Sequence, residues 1–121
     1  MRRAGPGLIL AAFVALAAPA AAAGGPAAGE GLFLDRCVMC HIAEGGGQGP
    51  PLKGVIGRKA GSVDGFAYSA ALRADGRVWT GPELDRFITN PSTAIPGTAM
   101  PIQVPDAKER EDLISYFATF R

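Results

Sequence analysis

Two thiols and one imidazole stand together in Cys37-Val38-Met39-Cys40-His41, and the sequence holds no other cysteine or histidine. Cysteines three residues apart share one side of a helical turn, and the histidine adjoining the second swings its ring beneath that side. This is the spacing by which two thiols add to the two vinyl groups of one porphyrin while the imidazole reaches its iron. The rival chemistries are thinner. A thioredoxin-like redox pair belongs to a βαβ pattern, which the sequence lacks. A structural zinc site wants four Cys or His ligands, and the chain has two Cys and one His. A plain disulfide between Cys37 and Cys40 stays open as the alternative to heme attachment.

A six-coordinate iron needs a second axial group, and the one histidine is already used. The candidates are Met39, Met100, a lysine or an open position. Met39 lies between the cysteines, on the wrong side, and is expected to pack. Met100 sits in the proline-bounded stretch Pro96-Gly97-Thr98-Ala99-Met100-Pro101, a loop suited to approaching the far face of a ring.

The elements that must position these groups occupy a short chain of 121 residues, enough for one domain. Its start reads as an export leader. Arg2 and Arg3 form a basic region, Leu8 to Ala18 an apolar one, and small residues run through Ala20 to Ala23. Cleavage after Ala23 is expected, because Pro19 interrupts the apolar stretch short of the ~20 residues that span a bilayer. A retained anchor is the rival. Export suits covalent heme attachment, which belongs outside the cytoplasmic membrane. Residues 24–121 then form the working domain, with a net charge of −1 once Arg2 and Arg3 are gone, and such a surface offers nucleic acid no grip. Under ~100 residues rich in Gly and Pro bury too little apolar surface to be stable unaided. Two cysteines in one short motif close no useful loop, so a bound cofactor is the natural staple.

The pattern is helical with long loops. A helix is expected over Ala27 to Cys40, with Leu32, Phe33 and Val38 inward. Glycines and prolines from Glu44 to Gly61 allow no regular element and predict a loop that wraps something. Tyr68 to Arg73 is a short helix closed by Asp75-Gly76. Thr80 and Glu83 form a capping box for a helix ending at Asn90-Pro91, with Leu84, Phe87 and Ile88 inward. Ser92 to Pro105 lacks period. Asp106 and Glu109 open a last helix to about Phe120, buried through Leu113, Ile114, Phe117 and Phe120. No stretch alternates like a strand, so the fold expected is all-α, with three to five short helices and long loops around one heme.

From Gly29 onward the sequence resembles the class I cytochromes c of mitochondria and bacteria. The resemblance is carried by Phe33, the Cys37-to-His41 motif, Gly49-Pro50, Gly57-Arg58-Lys59, Tyr68, Val78-Trp79, Asn90-Pro91 and Ile95 to Met100, and near the end by Glu109 to Ile114 with Tyr116. It implies one covalent heme c on Cys37 and Cys40, with His41 and Met100 as iron ligands. It further implies that the Pro50 carbonyl accepts from the proximal imidazole, that Arg58, Tyr68 and Trp79 surround a buried propionate, and that Thr98 orders the distal loop. Gly29, Phe33, Leu113 and Tyr116 correspond to the crossing of the first and last helices. Three departures stand out. The loop between His41 and Pro50 is shorter than in mitochondrial members. Phe87 replaces a common tyrosine near the methionine sulfur. Ser92, Thr93 and Ala99 stand where mitochondrial members carry lysines, so electrostatic docking to an acidic partner should be weak.

An iron with both axial positions filled leaves no room for substrate. The resemblance therefore implies a periplasmic, monomeric one-electron carrier rather than an enzyme, fed by a quinol-oxidising complex or a dehydrogenase. Its acceptor would be an oxidase, a peroxidase or a photosynthetic reaction centre. A labile Met100 would instead permit peroxidase chemistry, and an exposed apolar patch would mark a subunit of a larger complex.

Overall fold

Helix α1 (Pro26–Arg36) begins at a proline, whose missing N–H is no loss in a first turn. The computed structural model describes residues 24–121 together with Met1, Val14 and Ala15, so the expected leader over residues 1–23 otherwise lies outside the described residues. The helix ends four residues before the expected Cys40. There the Val38 N–H bonds the Phe33 carbonyl at 3.0 Å, and the Cys40 and His41 N–H groups both turn to the Cys37 carbonyl, at 3.1 and 2.9 Å. The motif is thus carried on tight turns that follow the helix.

Ser69 caps α2 (Ala70–Asp75) by accepting from the Leu72 N–H at 3.2 Å. Thr80 caps α3 (Gly81–Thr89) through the Glu83 N–H, and Asp106 caps α5 (Ala107–Thr119) through the Glu109 N–H. Both expected capping boxes are half made. The Glu83 carboxylate is drawn to Arg77 and Arg86, and that of Glu109 to Arg36. One element was not foreseen: α4 (Pro91–Ala94), a single turn capped by the Asn90 side chain on the Thr93 N–H at 3.1 Å. Four residues are too few to show a helical period, and Pro91 presets the first turn.

Among the described residues, five helices and long loops make the all-α architecture expected, and the one β feature is an antiparallel bridge between Lys59 and Val78. The core is the crossing of α1 and α5 with α3 against it. Phe33 places its ring 5.5 Å from Tyr116, 5.7 Å from Phe120 and 6.1 Å from Phe117, an aromatic cluster that adds to simple area burial. Leu84, Phe87 and Ile88 form the buried face of α3. At the crossing a Cβ on Gly29 would fall 1.9 Å from the Asp112 carbonyl oxygen, so the backbones touch. Gly31 faces open space.

Asp112 is buried beside that contact, where it accepts from the Gly25 N–H at 2.6 Å and pairs with the Lys108 ammonium. The Lys108 hydrogen bond, then that of Gly25, holds its carboxyl below the usual range.

Two outcomes follow. Gly29→Ala should destabilise the holoprotein by about 2–3 kcal/mol in denaturant unfolding, while Gly31→Ala should be neutral or stabilise by up to about 1 kcal/mol through helix propensity. Because the folded pKa of Asp112 is depressed, its contribution is complete above the unfolded carboxylate pKa of about 3.9 and fades as pH falls through the folded value. Asp112→Asn should therefore weaken the protein at neutral pH, and its deficit against the parent should shrink below about pH 4 in the same unfolding assay.

Candidate functional site

The helices and the long loop enclose a cavity of about 450 Å³ whose walls are largely apolar, with Val55, Leu72, Leu84, Phe87, Ile88 and Leu113 among them. Cys37, Cys40, His41 and Met100 all line it. The turns after α1 deliver the first three. The segment between α4 and α5 delivers Met100, and that segment is tied back to α3 by the Val104 N–H on the Ile88 carbonyl at 2.8 Å.

His41 is the most constrained of the four. Its Nδ1 lies 2.7 Å from the Pro50 carbonyl oxygen. A carbonyl only accepts, so Nδ1 carries the hydrogen and Nε2 keeps its lone pair as a donor for a metal. Burial pushes the imidazole below its ordinary pKa; the Pro50 carbonyl opposes this and the charge of Arg58 adds to it. The ring is therefore neutral at neutral pH, the form that ligates. Gly49 lies against it so closely that a Cβ would fall 2.4 Å from His41 Cε1.

Cys37 and Cys40 are both partly buried, and the structure does not join them to each other. Burial raises the Cys37 thiol above its ordinary range. Met39 does not pack, contrary to expectation: it is 80% exposed and does not line the cavity. Its neighbours turn inward on the tight turns and leave it outside.

The polar end of the cavity is equally ordered. The Gly57 N–H bonds the Trp79 carbonyl at 2.8 Å and the Trp79 N–H bonds the Arg58 carbonyl at 2.9 Å, a clip that sets Arg58 beside Trp79. Arg58 is half-buried, donates to the carbonyls of Pro51 and Lys53 at 2.8 and 3.2 Å, and pairs with no carboxylate among the described residues. Burial lowers its pKa. Tyr68 lines the same region, its hydroxyl oxygen accepting from the Val63 N–H at 3.1 Å. Thr98 Oγ1 accepts from the Met100 N–H at 3.3 Å and fixes the approach of that loop. Phe87, at the position of the common tyrosine, brings no hydroxyl; its ring lies 5.0 Å from Trp79.

A slot with two cysteine sulfurs, a neutral imidazole offering one nitrogen, a thioether, apolar walls and an uncompensated guanidinium fits a porphyrin with iron and an acidic edge. Every site residue expected from the sequence lines this one cavity. Gly49 was noted with Pro50 in the resemblance but not as a positioning residue, because its contact with His41 exists only in the folded chain. Gly49→Ala should push the ring off its Pro50 bond and destabilise the holoprotein by about 1–3 kcal/mol, measured by guanidinium unfolding followed in the heme absorption.

Comparison with known proteins agrees with this geometry. The family model described as cytochrome c matches residues 26–120. The chain is 44% identical over 91 residues to cytochrome c type-1 of Ascaris suum, covering 73% of this chain and 81% of that protein. It is 40% identical to cytochrome c2 of Rhodoblastus acidophilus, covering 82% and 95%. Its structure is similar to that of cytochrome cH from Methylobacterium extorquens, with a TM-score of 0.74, 42% identity, and coverage of 79% of this chain and 99% of that one.

Proposed function

The chain belongs to the cytochrome c family and carries one covalent heme c, and from that premise we propose that it is a soluble, monomeric one-electron carrier whose iron is ligated by His41 and Met100. The observation that carries this reading is the convergence of Cys37, Cys40, His41 and Met100 on one apolar cavity. Heme c, when bound, supplies the redox centre, an iron that takes up and returns a single electron.

The residues of the chain account for the rest. Cys37 and Cys40 anchor the macrocycle as thioethers. Pro50 holds the Nδ1 hydrogen of His41 and so presents Nε2 and increases its basicity. Thr98 stiffens the loop that presents Met100. His41 and Met100 would together hold the iron and leave it no site for a substrate, which supports transfer rather than catalysis. Arg58, with Tyr68 and Trp79 beside it, would meet a propionate whose charge is otherwise costly out of water. A thioether ligand and apolar walls both favour the ferrous state, which sets the potential on the positive side.

The same reading places the working domain at residues 24–121, released into the periplasm after cleavage behind Ala23. The basic residues, apolar stretch and small residues of the start support it. Among the described residues no helix is long and apolar enough to cross a membrane. The donor is then a quinol-oxidising complex or a dehydrogenase, and the acceptor an oxidase, a peroxidase or a reaction centre.

A redox titration followed in the visible spectrum should give one n = 1 transition at positive potential; two transitions, or none, would overturn the reading. Met100→Ala should open the iron to carbon monoxide, which the parent excludes, as seen in the reduced spectrum. Replacing Cys37 or Cys40 with Ala should chiefly lower the holoprotein yield. Mass spectrometry of the exported protein should find Gly24 as its first residue.

A further inference from the structure

Helix α1 begins without either device that usually satisfies a helix start. Gly25, at its N-cap, has no side chain to accept from the first N–H groups, and the first turn holds no acid to face the positive end of the helix dipole. The anion comes instead from the other end of the chain. Asp112 of α5, its side chain 8% exposed, accepts from the Gly25 N–H at 2.6 Å through Oδ1. The Lys108 ammonium binds the same oxygen. Among the described residues Oδ2 accepts nothing, although a carboxylate oxygen has acceptor sites to spare.

Gly24 lies against this group. A Cβ on it would fall 2.6 Å from Lys108 Nζ and 3.3 Å from Asp112 Oδ1. Backbone bond lengths hold its nitrogen within about 3.6 Å of the Gly25 nitrogen, hence within about 6 Å of Asp112 Oδ1 in any orientation. In the uncleaved chain that nitrogen is a neutral amide. Hydrolysis of the Ala23–Gly24 bond by a leader peptidase leaves a carboxylate on Ala23 and an amine on Gly24, which takes up a proton at neutral pH. A cation at a helix N-terminus is unfavourable by itself, but this one emerges beside a carboxylate with an oxygen unused. Lys108 competes, yet its side chain is 55% exposed, and Glu111, 4.0 Å from its Nζ, offers it a second partner.

We propose that the Gly24 α-ammonium created by cleavage pairs with Asp112, so that removal of the leader itself pins the start of α1 to α5. This rests on the reading of cleavage behind Ala23.

The test uses the exported, reduced holoprotein labelled with 13C-glycine, its first residue read by mass spectrometry. The pH dependence of the Gly24 resonances gives the pKa of its amine. That pKa should lie about 1 pH unit higher in the parent than in Asp112→Asn, where Lys108 is left as an unopposed neighbour, and Lys108→Gln should raise it further. Two glycines inserted between Ala23 and Gly24 carry the amine up to about 7 Å away and leave Asp112, Lys108 and Gly25 in place. The displaced amine should titrate at the ordinary value of about 7.7–8.0, below that of the parent. A purely structural Asp112 predicts no such difference, and this variant keeps the test open should Asp112→Asn not fold.

Equal amine pKa values in the parent and Asp112→Asn, or an inserted chain whose amine titrates as the parent's does, would overturn the pairing and leave the leader reading standing. An exported chain that starts at any residue other than Gly24 would overturn it by sinking the leader reading itself.

Discussion

The hydrogen bond from His41 Nδ1 to the Pro50 carbonyl, 2.7 Å long, joins the turn that follows α1 to the start of the long glycine-rich loop. It does three things together. It selects the tautomer, aims Nε2, and fixes where the loop must pass. Passing there demands that residue 49 have no side chain, since a Cβ would strike the imidazole, and the same loop then returns to bond the Phe120 carbonyl through the Gly54 N–H at 2.8 Å. The His41 ring and the loop that closes the cavity are thus positioned by one another.

Stability and function are hard to separate in such a molecule. The protein's own core is the α1/α5 crossing, with Phe33 seated among Tyr116, Phe117 and Phe120 and α3 packed alongside. Val55, Leu72, Leu84, Phe87, Ile88 and Leu113 belong to the core and line the cavity as well, so one set of side chains serves both. A chain this short has little other apolar surface to bury. The helices therefore serve chiefly to fix the two ends of the site: α1 leads into the cysteines, and α3 anchors the methionine segment through Ile88 and Val104.

Much of this was legible in the sequence because the strongest constraints are local. Thr80 and Asp106 declare their helices by capping, and the Cys37-to-His41 spacing declares its cofactor. Others were invisible for physical reasons. The capping boxes close only on one side, because Arg36, Arg77 and Arg86 compete for the glutamates from elsewhere in the chain. The turn α4 is too short to have a period. Gly49 matters through a contact with His41 that no local pattern encodes. The pair between Glu109 and Arg36 spans 73 positions, and only the folded chain forms it.

The central claim is that the iron is held by His41 on one side and the sulfur of Met100 on the other. The ferric protein should show the weak near-infrared sulfur-to-iron band, unchanged in Met39→Leu and lost in Met100→Leu. Its absence from the parent, or its survival in Met100→Leu, would contradict the account.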